Sequence, residues 1–352
     1  MLEWIKKKEI HIKYLLLPLA LIYWLIIFWR NVLYNYNFFI TRKLPTQVIS
    51  VGNVTTGGTG KTPAVIFLAK HFLKKGKTVA ILSRGYGRKT AGTQEVSNGK
   101  SNNIDWLNFG DEPSLMAKKL PGVPIVVDEN RYRGGIYIIE KFKPDLIILD
   151  DAFQHRSLAR DIDVVLINSQ DQQADHRMFP YGSLREPPKN LKRADFVILS
   201  KTNIKPPSSY LIGLTKKIGV PTYFSSFNYV ELISPTGEKY KPAGNQKVLA
   251  LSAIGDPESF YETIEQHDFN FNIVKKISFS DHHEYSQSDI DTIKSENDTF
   301  DLIITTEKDM VKIEKLNIAG IRIFSLVGEF QLVDEEKDEF FVQLEKKLLN
   351  KF

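Results

Sequence analysis

The stretch VGNVTTGGTGKTP, Val51 to Pro63, has the residue types that hold a phosphate. Gly57, Gly58 and Gly60 let the chain curl so that several backbone N–H groups face inward, with Thr55, Thr56 and Thr59 completing the loop. Lys61 then reaches β- and γ-phosphates, and the Thr62 hydroxyl is a ligand for Mg2+. The strict pattern G-x-x-x-x-G-K-[ST] asks for glycine at 55, where this chain has Thr55. A strand-like QVIS before the loop and a helix-like AVIFLAKHFLKKG after it favour the nucleotide reading over a plain glycine-rich turn. Dimerising switch ATPases carry a further lysine where this chain has Thr56, which counts against a partitioning or metal-insertion ATPase.

Acids and histidines recur downstream. Asp150 and Asp151 close LIILDD, the place where acids meet Mg2+ directly or through water at the end of a parallel strand. NFGDEPSLMAKK puts Asp111 and Glu112 just before a helix opened by Pro113. From spacing alone Asp111 is equally an N-cap or a general base for an attacking hydroxyl. FSDHHEYS gathers Asp281, His282 and His283, which suits metal ligation or an oriented acid/base; without cysteine or further clustered histidine, a proton relay is favoured over zinc. Arg185, in the loop MFPYGSLREPPKN, can stabilise charge on a γ-phosphate or grip a substrate phosphate, or be a surface cation.

The elements that must carry these groups alternate between short apolar runs and helical periods from Thr46 onward, the signature of βαβ units. QVISVGN, KTVAILSRG, PIVVDEN, PDLIILDD, IDVVLIN and ADFVILSKTN read as strands. The fold class expected is α/β: a P-loop NTPase-like, doubly wound, mostly parallel sheet whose ligands sit beyond the strand C-termini, plus a smaller C-terminal α/β domain and an N-terminal apolar membrane helix. The boundaries expected are 1–40 for the membrane-associating helix, 41–228 for the P-loop domain, 229–243 for a two-stranded linker around Pro-Thr-Gly, and 244–352 for the smaller domain.

Tyr14 to Trp29 is a run of uncharged, mostly apolar residues between Lys6, Lys7, Lys8 and Lys13 on one side and Arg30 on the other. It is short for a full span, and aromatics rather than a small-residue cleavage site follow it, so a retained anchor or interfacial helix is favoured over a signal peptide or a core helix. Across 352 residues, 42% are apolar and 25% charged, which is a folded chain of about two domains. A net charge of +5, without a basic element among aromatics, argues against nucleic acid as partner. The absence of cysteine excludes disulfides and thiolate chemistry.

Taken together, VGNVTTGGTGKTP, LSRGYGR, GDEP, LDDAFQHRSLARDIDVVLIN, GSLREP, FSDHH and TTEKDMVK, in this order behind an apolar helix, resemble the tetraacyldisaccharide 4′-kinases, membrane-surface enzymes of lipid A assembly. The resemblance reaches to about Lys312. It implies transfer of the ATP γ-phosphoryl group to the 4′-hydroxyl of a tetraacyl glucosamine disaccharide 1-phosphate, with Mg2+. It also implies a catalytic pair of Asp111 and His282, nucleotide contacts from Lys61 and Thr62, and metal contacts from Asp150 and Asp151. Glu112, Arg185, Gln154 and His155 fall in matching motifs and are carried over as site residues, the last two on the nucleotide side. Thr55 is no departure, because a small polar residue is common there in the family. Ala152 stands where a glycine is usual, and MFPYGSLREP varies that family's LPAGPLREP.

Because Asp111 and His282 fall in different expected domains, their meeting is expected to need a closure about 229–243. The expected location is the cytoplasmic face of the inner membrane, with an acylated disaccharide phosphate and the membrane surface as partners and no obligate protein partner. The competing reading is a membrane-associated P-loop NTPase acting as a switch or chaperone on a protein; a third is a soluble small-molecule kinase with a cleaved leader.

Overall fold

The computed structural model describes residues 14–100, 105–266 and 268–351; the basic flank Lys6, Lys7, Lys8 and Lys13 lies outside them. The described residues open with helix α1 (Leu17–Asn35), then strand β1 (Gln47–Asn53), helix α2 (Lys61–Lys74), β2 (Val79–Ser83) and β3 (Gln94–Asn98). After one turn at Trp106–Phe109 come α3 (Asp111–Lys119), β4 (Pro124–Val127), α4 (Arg131–Phe142), β5 (Leu146–Asp150), β6 (Ile162–Asn168), β7 (Phe196–Ser200) and α5 (Ser209–Ile218). Strand β8 (Thr222–Ile233) follows, then β9 (Lys239–Tyr240), β10 (Lys247–Ser252), α6 (Pro257–Gln266), β11 (Asn272–Ser278) and α7 (Gln287–Lys294). The chain closes with β12 (Leu302–Thr306), α8 (Glu307–Ile313), β13 (Ile323–Leu332) and α9 (Asp334–Leu349).

Contacts divide the chain into two compact units with interleaved segments. The first holds the described residues up to Lys61, Asp145–Ser226, and those from Leu332 onward. Within it β5, β1, β6, β7 and the start of β8 are neighbours in that order, each pair parallel. Strands β5, β6 and β7 are buried at every position, which is why they read as unbroken apolar runs rather than alternating ones. Register sets Val51 beside Asp150, so the first acid of LIILDD lies where the phosphate loop begins.

Helix α9 belongs to this unit rather than with residues 244–331, a division that the linear boundaries do not follow. Its apolar stripe explains why: Phe340 packs on Phe196 at 5.2 Å, and Leu344 and Leu348 are buried beside it. Burying such side chains stabilises by about 1.5–3 kcal/mol each. Lys347 adds an ion pair to Asp195 at 2.9 Å.

The second unit joins Thr62–Pro144 to Phe227–Gln331. Strands β11, β10, β12 and β13 form a parallel set, β8 pairs antiparallel with β9, and β2 pairs parallel with β4. Strand β3 is antiparallel to β4 and was not anticipated, because QEVSN is too polar to read as a strand. The apolar core of the later segment includes Leu249, Leu251, Ile290, Ile303 and Ile313.

Candidate active site

In the first unit, the phosphate loop is tied down on both sides. Asn53 Nδ2 donates to Thr59 Oγ1 at 3.1 Å across the loop, and Ser200 Oγ donates to the Thr59 carbonyl at 2.9 Å. The segment from GSLREP runs alongside: Thr56 N donates to the Ser183 carbonyl at 2.7 Å, Arg185 N to the Val54 carbonyl at 2.8 Å, and Thr55 bridges antiparallel to Leu184. Gly57 and Gly60 have φ of +118° and +82°, conformations that a Cβ opposes, so the glycines are needed where they stand. Gln154 Nε2 donates to the Asn53 carbonyl at 2.8 Å, and His155 meets Ser157 Oγ at 3.0 Å. Thr62 is buried in the first turn of α2.

Asp151 lies between two cations. Arg185 Nη1 donates to both of its carboxylate oxygens at 2.8 Å, and Lys61 Nζ is 3.8 Å away. Its backbone has φ of +48°, unusual for a residue with a Cβ and the kind of local strain that collects at functional sites. Asp150, by contrast, is 1% exposed at the end of β5. The expected pair is therefore split: one acid faces cations, the other is enclosed at the strand end.

The second unit holds the histidine pair. Asp111 Oδ2 is 3.0 Å from His282 Nδ1, 3.1 Å from Lys312 Nζ and 3.7 Å from Lys308 Nζ, while Oδ1 accepts from Glu112 N at 2.9 Å. Asp111 is the first residue of α3 and not its N-cap, a place taken by Gly110. The capping alternative is thereby removed. Gly110 has φ of +94°, and a Cβ there would lie 2.9 Å from the Tyr86 carbonyl, so GDEP needs its glycine to pass beneath the RGYG loop. Burial pushes the Asp111 carboxyl up, but its hydrogen bond with His282 and the charges of Lys308 and Lys312 outweigh that and hold it well below the usual carboxylate range.

His282 itself has φ of +63° and packs its ring, tilted by 53°, against Tyr86 at 5.0 Å between centroids. The DHH triplet does not act as one cluster. His283 turns away to Asp289 at 3.1 Å and stacks on Phe279, and Asp281 lies 3.5 Å from Lys308. Among the described residues no group of three or more His, Cys, Asp or Glu is arranged to cage a metal.

The expected closure about 229–243 is corrected here: Asp111 and His282 belong to one compact unit and already share a hydrogen bond. Glu112 stands 3.6 Å from Lys308. Sequence reasoning missed Lys308 and Lys312, although both lie in the motif TTEKDMVK. Their four-residue spacing on a helix was the available signal, since it puts two lysines on one face.

The profile of the family described as tetraacyldisaccharide-1-P 4'-kinase matches residues 12–349, well past Lys312, where the motif-level resemblance ends. A tetraacyldisaccharide 4'-kinase of Chlorobaculum parvum is 37% identical, with 96% of this chain and 96% of that protein covered. One from Aquifex aeolicus is 37% identical over 92% of this chain and 95% of its own length. The solved structure of Aquifex aeolicus LpxK in complex with ATP superposes with a TM-score of 0.75 at 36% identity, covering 94% of this chain and 98% of that one. On this evidence the chain belongs to the tetraacyldisaccharide-1-P 4'-kinase family.

Proposed function

We propose the following roles for these residues in one phosphoryl transfer. As a member of its family the chain is a kinase that passes the γ-phosphoryl group of ATP to the 4′-hydroxyl of a tetraacyl glucosamine disaccharide 1-phosphate, a late step of lipid A assembly. The loop Thr55, Thr56, Gly57, Gly58, Thr59 and Gly60 wraps the phosphates with backbone N–H groups, and Lys61 and Arg185 supply positive charge. Asp151 holds both cations in place. Gln154 braces the strand end from which the loop leaves, and His155 is assigned with it to the nucleotide side.

The oxygen donors Thr62 and Asp150 suit Mg2+, which takes one or two side-chain oxygens beside phosphate and water rather than a full protein cage. When bound, that ion neutralises charge on the phosphates. With Asp151 committed to Arg185 and Lys61, Asp150 is the acid assigned to the metal.

The proton is handled in the second unit. A carboxyl held as acidic as Asp111 is a poor base, so it stays ionised and keeps Nδ1 of His282 as a donor. Nε2 is then left to take the proton of the 4′-hydroxyl. The Asp111–His282 hydrogen bond is the observation that carries this assignment.

Helix α1 gives the enzyme its access to a lipid. Leu15, Leu19, Leu21, Ile22, Leu25, Ile26 and Trp29 are exposed along it or just before it, a larger apolar face than a soluble monomer carries. Its 19 residues at about 1.5 Å each give roughly 28 Å, close to the thickness of a hydrocarbon core, and it is apolar enough to cross one by composition. Beside it a groove of about 390 Å3, lined by Leu17, Leu21, Trp24, Met178, Tyr181 and Leu184, suits an acyl chain. We assign the helix to the cytoplasmic face of the inner membrane.

Mass analysis of product after incubation with ATP and an acylated disaccharide 1-phosphate tests the assignment; one added phosphate on the disaccharide is expected. ATP turnover at a membrane that ignores the added disaccharide would instead indicate a nucleotide switch.

A further inference from the structure

The motif TTEKDMVK ends β12 at Thr306, whose hydroxyl caps α8 by accepting from Asp309 N at 3.1 Å. Lys308 and Lys312 then lie on one face of α8, and the two differ in setting. Lys312, 1% exposed at its side chain, is enclosed: it donates to the His283 carbonyl at 3.1 Å, pairs with Asp111, and sits over the Trp106 ring at 5.8 Å. Lys308 is 17% exposed, and its ammonium is 3.7 Å from Asp111, 3.6 Å from Glu112, 3.5 Å from Asp281 and 3.4 Å from His282 Nε2. The charged and titratable groups around it are thus Asp111 and Glu112 from α3, Asp281 and His282 from the loop after β11, and Asp309 and Lys312 on its own helix; the Tyr86 ring covers the imidazole. Burial disfavours its charge, yet Glu112, Asp111 and Asp281 together hold the ammonium above the ordinary lysine range.

The ring nitrogen that takes the substrate proton therefore has a permanent cation beside it. A left-handed residue such as His282 also needs its surroundings to keep it in place. One backbone bond, His282 N to the Ala253 carbonyl at 3.3 Å, and the ammonium of Lys308 serve that end. We propose that Lys308 is a positioning residue for the transfer, seating the His282 imidazole against Asp111. The inference rests on the reading of His282 as the base.

Asp281 lies 3.8 Å from the same nitrogen and is 42% exposed at its side chain, so it is a second charged neighbour of the ring.

The experiment records kcat and the KM for ATP, with acylated disaccharide 1-phosphate in mixed micelles, for the full chain and three variants. Lys308→Gln is expected to lower kcat about tenfold with the KM for ATP unchanged. Lys308→Arg, which keeps the charge beside the ring, is expected to restore most of that loss and retains a readout should Lys308→Gln fail to fold. A kcat unchanged in Lys308→Gln, or one lowered as far by arginine as by glutamine, overturns the proposal. His282→Asn separates the two readings: if it loses kcat while the Lys308 variants do not, only the role of Lys308 fails; if it keeps kcat, the base assignment fails with it.

Discussion

Replacing His282 by asparagine isolates the proton transfer from the architecture. The residue has φ of +63°, a conformation that asparagine tolerates and that costs other side chains about 1–2 kcal/mol, so asparagine rather than alanine is the clean choice. Asp111 keeps Lys312 at 3.1 Å and Lys308 at 3.7 Å in the variant, so no buried charge is left alone and the stability change should stay within about 1 kcal/mol. Loss of a positioned base costs about 100- to 10,000-fold in rate, or about 2.7–5.5 kcal/mol of transition-state stabilisation. Phosphate loop contacts lie in the other unit and are untouched. Initial rates with saturating ATP, product identified by mass, and a thermal unfolding curve on the same preparation give all the quantities needed. A kcat within threefold of the parent protein refutes the reasoning, as does a loss that appears wholly in the KM for ATP.

Three further outcomes follow from the same contacts. Lys61→Ala should cut kcat about 100- to 1,000-fold, read by product formation at saturating lipid, because a charge aimed at the phosphates is gone and Asp151 loses a neighbouring cation. Glu186→Gln should lower stability by about 3 kcal/mol in thermal or urea unfolding: the carboxylate is 0% exposed and pairs with Arg30 and Arg193 at 2.7 Å each, so the guanidinia lose their counter-ion. The Asp111 carboxyl titrates lower in the folded than in the unfolded chain, so its stabilisation is present above the unfolded value near pH 4 and disappears as pH falls through the folded one. The stability gap between the parent protein and Asp111→Asn, measured by urea unfolding, should be flat above about pH 5 and shrink below about pH 4.

The strands that carry the phosphate loop and the LIILDD acids were legible because strands buried on both faces must be apolar throughout, and such runs bounded by Gly and Asp admit few other readings. Helix α1 was legible from its uncharged, apolar run alone, although most of that apolar surface is exposed rather than buried. What stayed hidden depended on partners distant in sequence. Strand β3 takes its place only through pairing with β4, and QEVSN carries little propensity of its own. The role of Asp111 stayed open because its partner His282 lies 171 residues away. The two halves of LIILDD looked equivalent, and only the fold gives Asp151 to Arg185, 34 residues on, and leaves Asp150 enclosed. Lys308 and Lys312 were invisible for a related cause: a lysine on a short helix is usually solvated, and burial that makes it matter comes entirely from α3 and the loop after β11.

The contacts of α1 bear on how a soluble nucleotide and a bilayer-held sugar are served by one chain. Tyr23 on this helix donates to the Arg185 carbonyl at 3.0 Å, and Arg30 on it pairs with buried Glu186 next in sequence. Arg185 in turn bonds the Val54 carbonyl through its backbone and Asp151 through its guanidinium, and Asp151 neighbours Lys61. Helix, arginine and phosphate loop are thus linked by hydrogen bonds and ion pairs inside one unit, with Arg156 adding bonds to Asn31 and Asn35 on the helix. In the proposed setting, where the apolar face of α1 lies in lipid, this linkage fixes the height of the phosphate loop above the bilayer. A hydroxyl on a sugar whose acyl chains are held in the membrane has a height that is fixed too. Matching those two heights removes much of the search that a diffusing lipid would otherwise require, which is the kind of positioning on which phosphoryl transfer depends.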